Sequence, residues 1–306
     1  MSTVLNVENL SHRYSNAWAI RDINFGITRS GVIGLLGSNG AGKSTTMNII
    51  CGVLNQTEGK VIINGIDKSA NPRLAKKQLG FLPQTPPLYT DFTVDEYLTY
   101  TAELRFIEKG KIKRSVAEVM DRTGISHFSS RLIKNLSGGY KQRVGIAQAI
   151  IHKPSIVILD EPTNGLDPNQ IIEARKLIRE IAQDYTVLLS SHVLSEINLL
   201  CRDIIMIEAG RIVFSDSMES FNNYIQPASI LAKMENPPAE SELLMIPGVT
   251  KVEFLSGMQC RIFFSGNNNI TEAIIAASMQ HSWKLQEINL EKSVLDDVFK
   301  QLSQQS

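Results

Sequence analysis

At 306 residues the chain is long for one domain and reads as two, and its 43% hydrophobic content is enough to bury a sizeable core. The 31 basic and 31 acidic residues cancel, which argues against a basic footprint for nucleic acid and against a polybasic membrane anchor. Cys51, Cys201 and Cys260 stand far apart without metal-ligand spacing, a reducing-compartment pattern, no apolar run approaches the ~20 residues of a membrane span, and the N-terminus has no signal-peptide core.

Short apolar strands alternate with helices through the first half, the pattern of an α/β domain. Strands are expected over 5–7, 22–27, 61–63 and 80–82, surrounding a buried strand at 31–36. That central strand runs into Gly37-Ser38-Asn39-Gly40-Ala41-Gly42-Lys43-Ser44-Thr45, and the helix at 45–50 leaves it. The loop fits the phosphate-cradling pattern G-x-x-x-x-G-K-[ST], in which backbone N–H groups wrap phosphates, the lysine reaches the terminal ones and the hydroxyl takes Mg²⁺. Its strand–loop–helix setting argues against a merely Gly-rich turn with an exposed lysine.

From about 93 to 153 the reading turns helical. Thr93-Val94-Asp95-Glu96 is a capping box, and the cluster Lys109, Lys111, Lys113 and Arg114 reads as a solvated helix start rather than a docking patch. A second Gly-rich turn, Leu136-Ser137-Gly138-Gly139-Tyr140-Lys141-Gln142, opens another helix with no side chains on its first turn to obstruct an anion. Residues 155–159 read as a strand covered on both faces that ends in Asp160-Glu161 and is closed by Pro162. Two carboxylates at the carboxyl end of such a strand suit one Mg²⁺ ligand and one base for an attacking water; an acidic turn that simply ends the strand is the other reading. His192 follows the strand at 186–189, and by itself is as readily a packed residue beside a helix capped by Ser190-Ser191.

Beyond a hairpin at 204–207 and 211–214, a polar stretch leads to Pro227. From there the reading is strand (230–234), helix (239–245), strand (250–255), strand (260–264), helix (270–280), strand (284–289), the β-α-β-β-α-β order of a ferredoxin-like domain, with a last helix over 293–299. From Ser217 onward ten acidic residues face six basic ones, and no catalytic constellation is present, so a stabilising or dimer-supporting appendage is favoured over a ligand sensor.

Taken in order, Tyr14, the Lys43 loop, Gln84 after Phe81-Leu82-Pro83, Leu136-Ser137-Gly138-Gly139, Asp160-Glu161, Asn164-Gly165-Leu166-Asp167 and His192 make the chain resemble the ATP-binding subunit of an ABC transporter, from about residue 4 to 215. The wording is similar to the exporter-type branch, where multidrug and gliding-motility-associated ATPases look alike. The resemblance implies a P-loop NTPase cassette over 1–216 with a helical subdomain at about 86–154. A linker at 217–228 and an accessory α+β domain at 229–306 would follow.

It further implies that Tyr14, otherwise readable as a surface aromatic, stacks on adenine, while Gly37, Ser38, Asn39, Gly40, Ala41, Gly42, Lys43, Ser44 and Thr45 wrap the phosphates of ATP. Ser44, Gln84 and Asp160 would hold Mg²⁺, Glu161 would be the general base, and His192 would touch the γ-phosphate and the water, forming with Lys43 the catalytic set. Ser137, Gly138 and Gly139 would close on ATP held by a second protomer, in a head-to-tail homodimer. The helical insert, the Gln84 loop and Pro86-Pro87-Leu88-Tyr89 would receive a cytoplasmic helix of an integral-membrane permease, so the protein would be cytoplasmic and peripherally attached to the inner membrane.

Tyr140 in place of glutamine, Ser38 in place of proline and Asn164 in place of serine remove no glycine, lysine or carboxylate, and a competent ATPase is expected. A non-transport ATPase of the same superfamily acting on DNA or ribosomes would favour a basic face, a coiled coil, zinc modules or a second cassette, none of which the sequence carries. A small-molecule phosphotransferase would leave residues 136–142 and His192 without purpose. The resemblance implies that the choice of cargo lies with the permease.

Overall fold

Two long strands, β1 (Leu5–Tyr14) and β2 (Ala17–Ile27), open the chain as an antiparallel hairpin. The apolar pattern reaches only residues 5–7 and 22–27, yet both strands run on to the hairpin tip. The ladder survives the polar run through register shifts between Val7 and Leu10 and beyond, with Asn9 (φ 48°) and Asp22 (φ 55°) in left-handed backbone, the signature of bulges. In this computed structural model, which describes residues 3–28, 30–224, 229–256, 258–265 and 269–291, the chain divides into two units, 1–218 and 219–306.

The first unit continues with β3 (Gly31–Leu36), α1 (Lys43–Ile50), β4 (Glu58–Ile63), β5 (Ile66–Asp67), α2 (Pro72–Lys77) and β6 (Leu79–Leu82). The helical insert carries α3 (Val94–Leu104), α4 (Lys109–Arg122) and α5 (Gly138–Ile150), joined by 3₁₀ turns at Ser126–Phe128 and Ile133–Asn135. Then come β7 (Ile156–Asp160), α6 (Pro168–Ile181), β8 (Thr186–Ser191), α7 (Leu194–Leu200), β9 (Asp203–Glu208) and β10 (Arg211–Ser217), and the unit's last residue, Met218, starts α8 (Met218–Tyr224), which runs into the second unit. The last of these occupies polar residues that the sequence suggests as linker: with no proline before residue 227, nothing in them breaks a helix.

Two sheets form. One has the order β2-β1-β4-β5; the other is β10-β9-β3-β8-β7-β6, parallel throughout except for β10 at one edge. Strands β7 and β8 are buried along their full length, which is why their apolar runs do not alternate. Helix α1 touches both sheets, and Met47, Ile49 and Ile50 share one core with Leu10, Ile20 and Ile23 from the first sheet and Ile158, Leu188 and Ile205 from the second. The capping box forms at α3, where Thr93 accepts from Glu96 N and the Glu96 carboxylate accepts from Thr93 N. Lys109, Lys111, Lys113 and Arg114 on α4 are exposed, with Lys111 paired to Glu108 at 2.6 Å.

The second unit follows the order β11 (Ser229–Met234), α9 (Glu240–Leu244), β12 (Val249–Phe254), β13 (Gln259–Phe264), α10 (Ile270–His281) and β14 (Leu285–Glu291). Its sheet is antiparallel in the order β12-β13-β11-β14, and Ile230, Met234, Ile262, Leu243, Ile274 and Trp283 make its own core. The helix expected over 293–299 lies outside the described residues. Among the described residues no helix is long and apolar enough to cross a membrane.

Candidate functional site

Five neighbouring parallel strands end on one edge of the large sheet. Register fixes them there: Leu36 of β3 pairs with Ser191 of β8 and Met206 of β9, Asp160 of β7 with Ser190, and Leu82 of β6 with Leu159. The segments leaving these strands carry the Lys43 loop, His192, Glu208, Asp160-Glu161 and Gln84. Stretches separated by up to 170 residues therefore converge where parallel sheets bind ligands.

The phosphate loop is held open by its glycines. Gly42 has φ 109°, and a Cβ there would stand 2.5 Å from the Ile20 side chain, so only glycine fits between loop and β2. As N-cap of α1, Gly42 also offers no side chain to the first-turn N–H groups of Lys43, Ser44 and Thr45, which leaves them for an anion. Lys43 is buried, and its Nζ donates to Gly37 O and Ser38 O, both at 2.9 Å, with Glu161 Oε1 at 3.8 Å. Burial lowers its pKa, and the carboxylates of Glu161, Asp160 and Glu208 oppose that shift.

Glu161 is the hub opposite the lysine. Its backbone is left-handed (φ 46°), a strained state for a side-chain-bearing residue that aims the carboxylate back over the sheet edge. Oε1 lies 3.1 Å from His192 Nδ1, while Oε2 accepts from Gln84 Nε2 at 3.3 Å and Asn164 Nδ2 at 3.4 Å. The Ser190 hydroxyl ties the Asp160 carboxylate to the backbone of Glu161, accepting from Glu161 N at 2.9 Å and donating to Asp160 Oδ1 at 2.5 Å. Gln84, Lys43, Ser44, Thr45, Asn39 and Glu161 line one cavity of ≈ 270 Å³. Asp160 lies beneath, 4% exposed.

Among the described residues no three His, Cys, Asp or Glu side chains gather as a self-sufficient metal site. Ser44, Gln84 and Asp160 present oxygen donors only, a set that fits a hard cation sharing its coordination with water and phosphate, such as Mg²⁺.

A buried carboxylate behind the site has no signal in the sequence. Glu196, on α7, accepts from Thr163 Oγ1 (2.9 Å) and Ser191 Oγ (3.0 Å) and pairs with Arg175 (3.3 Å). It thereby joins the loop after Glu161, the end of β8 beside His192, and α6. The cap of α7 is Val193; Ser190 and Ser191 are committed to these polar contacts instead.

The second Gly-rich turn stands apart. Ser137 is the N-cap of α5 with its hydroxyl making no cap bond, and a Cβ on Gly138 would meet nothing within 4 Å, so this helix start faces open space. Ser137 and Gly139 line another cavity, ≈ 280 Å³, with Tyr140, Arg143, Asp167 and Gln170; none of the Lys43 loop is in it. Tyr140 packs edge-on against Phe128 at 4.5 Å between ring centres. Tyr14, 52% exposed at the tip of the first hairpin, lies against His12.

A groove of ≈ 510 Å³ runs between α2, β6 and the end of α3. Its floor includes Phe81, and its rim carries Arg73, Lys76, Lys77 and Arg105 beside the exposed Phe106, over which Arg73 stacks at 4.5 Å.

The family profile described as ABC transporter matches residues 20–164. The chain is 35% identical to the bacitracin transport ATP-binding protein BcrA of Bacillus licheniformis, over 70% of this chain and 69% of the relative. It is 29% identical to the linearmycin resistance ATP-binding protein LnrL of Bacillus subtilis, over 96% of this chain and 97% of that one. Among solved structures, cbiO1 of Clostridium perfringens, part of the ABC transporter complex cbiONQ, superposes with a TM-score of 0.67 at 29% identity, covering 73% of this chain and 92% of its own.

Proposed function

This chain belongs to the ABC transporter family as one of its ATP-binding proteins, and from that premise we propose that it hydrolyses ATP to power export through a separate membrane permease. The observation that carries the reading is the convergence of Lys43, Gln84, Glu161 and His192 at one sheet edge. In this reading Glu161 accepts a proton from a water as that water's oxygen bonds to the γ-phosphorus and the bond to the ADP oxygen breaks. His192 at 3.1 Å holds the carboxylate in position, and Lys43 exchanges its loop carbonyls for phosphate oxygens. Mg²⁺ held by Ser44, Gln84 and Asp160 would supply charge neutralisation on the phosphates.

The separation of the two helix-start loops supports assembly in pairs. A triphosphate on the Lys43 loop leaves the Ser137–Gly139 turn of the same chain with nothing to hold, so the turn of a second copy completes each site. ATP then favours the closed pair and hydrolysis reopens it. The exposed aromatics Tyr89 and Phe92, which cluster with Tyr100 beside the first turns of α3, suit a helix of the permease. Relatives named for bacitracin transport and linearmycin resistance support export as the direction.

One variant tests both parts. Glu161→Gln is expected to keep nucleotide affinity while losing at least about a hundredfold in turnover, since only the proton acceptor is gone. Purified from its native membranes in mild detergent with ATP and Mg²⁺, it should bring down a multi-span membrane protein, identified by mass spectrometry. Retained turnover would remove Glu161 from the mechanism, and recovery of soluble partners alone would overturn the transport reading.

A further inference from the structure

The turn joining β9 to β10 presses on the phosphate loop from behind. Ala209 (φ 46°) and Gly210 (φ 76°) make a two-residue hairpin turn between the paired Glu208 and Arg211. From this turn Gly210 N–H donates to Ala41 O at 3.0 Å, and Gly210 O accepts from Arg21 N at 2.8 Å. A Cβ on Gly37 would stand 2.4 Å from Ile207 O, so strand and loop are in direct backbone contact. The remaining contact is made by side chains: Ser38 Oγ lies 3.0 and 2.9 Å from the two carboxylate oxygens of Glu208.

That contact answers a local need. Backbone N–H groups can wrap a phosphate only if the loop holds one conformation, and serine, unlike the proline often found at this place in the loop, does not restrict its own φ. A hydroxyl held by a half-buried carboxylate on a sheet strand restricts it from outside. Glu208 would otherwise be a poor choice of neighbour, because its charge faces the region that receives phosphates and already acts on Lys43.

We propose that Glu208 is a positioning residue for ATP, presetting the conformation of the phosphate loop through the Ser38 hydroxyl. The proposal rests on ATP binding at the Lys43 loop. It separates the acceptor function of Glu208, which helps binding, from its charge, which opposes it.

The test is a fluorescent-nucleotide titration together with steady-state hydrolysis for Glu208→Ala, Glu208→Gln, Ser38→Ala and the Glu208→Ala/Ser38→Ala pair, all in the full chain. Glu208→Ala and Ser38→Ala should each raise Kd and KM about three- to tenfold and leave kcat within about twofold, because an interaction common to ground and transition states is lost. The double variant should be no weaker than either single one, since both remove the same bond. Glu208→Gln keeps an acceptor oxygen and loses the charge, so its affinity should equal or exceed that of the parent.

Equal weakening by Gln and Ala, losses that add in the double variant, or a fall in kcat at unchanged KM would each overturn the proposal. Should Glu208→Ala fold poorly by its thermal midpoint, Ser38→Ala against Glu208→Gln still decides the matter. Failure of the parent chain to bind ATP would instead strike at the site itself.

Discussion

His152, just past α5, carries a pH dependence that its surroundings dictate. Its Nε2 is 2.9 Å from Leu79 O, its Nδ1 is buried without a partner, and burial, reinforced by the charge of Arg105, pushes its pKa down to about 4 from 6.5. Above pH 6.5 the ring is neutral whether the chain is folded or not. Below it, the unfolded chain takes up a proton that the folded one refuses, so stability falls as pH drops until about 4. The difference amounts to about 2 kcal/mol at pH 5. Urea midpoints at pH 7 and 5 should show it, and His152→Gln, which keeps an N–H for Leu79, should lose that part of the pH slope; an unchanged slope would mean that the ring is protonated in the fold.

Among elements, the junction of α6, α7, β8 and the loop after β7 depends on Glu196. It is 7% exposed and serves three donors, so Glu196→Ala strands Arg175 and frees the turns that carry Thr163 and His192. A loss of about 3 kcal/mol is expected, the cost of breaking a buried ion pair from one side, and chemical denaturation would register it; a loss under about 1 kcal/mol would mean that α7 is held by its apolar face alone.

How far sequence goes is clear from this same junction. The Lys43 loop, the carboxylates of β7, Gln84 and His192 are each readable because a local pattern marks them, an apolar strand followed by a turn whose chemistry differs from packing. Glu196 and Glu208 lack such a mark. Their partners Thr163 and Ser38 stand 33 and 170 residues away, and only the strand order β9-β3-β8-β7 brings them together. The apolar pattern stops short of the full hairpin β1–β2 for a related reason: bulges at Asn9 and Asp22 break the alternation by which a strand is recognised.

At the scale of the whole molecule, the two helix-start loops define what one chain lacks. The Lys43 loop has the charge and the base, and the Ser137–Gly139 turn has free N–H groups beside open space, but the two line different cavities. If each active site draws one loop from each of two copies, defects in different loops should complement. A Lys43→Ala chain spoils the site in which it supplies the lysine, and a Gly138→Asp chain, which sets a carboxylate where phosphate would lie, spoils the site in which it supplies the turn. In a mixed pair both defects fall on the same site, because the lysine of the first chain faces the turn of the second. The other site is then wholly intact. Mixing two inactive proteins should therefore restore hydrolysis, rising to about a quarter of the parent rate at equal amounts if pairing is random and sites act independently. Recovery would follow the product of the two concentrations. Persistent inactivity in a mixture shown by light scattering to pair would mean that both loops of one chain serve the same nucleotide, or that the two sites fire only together.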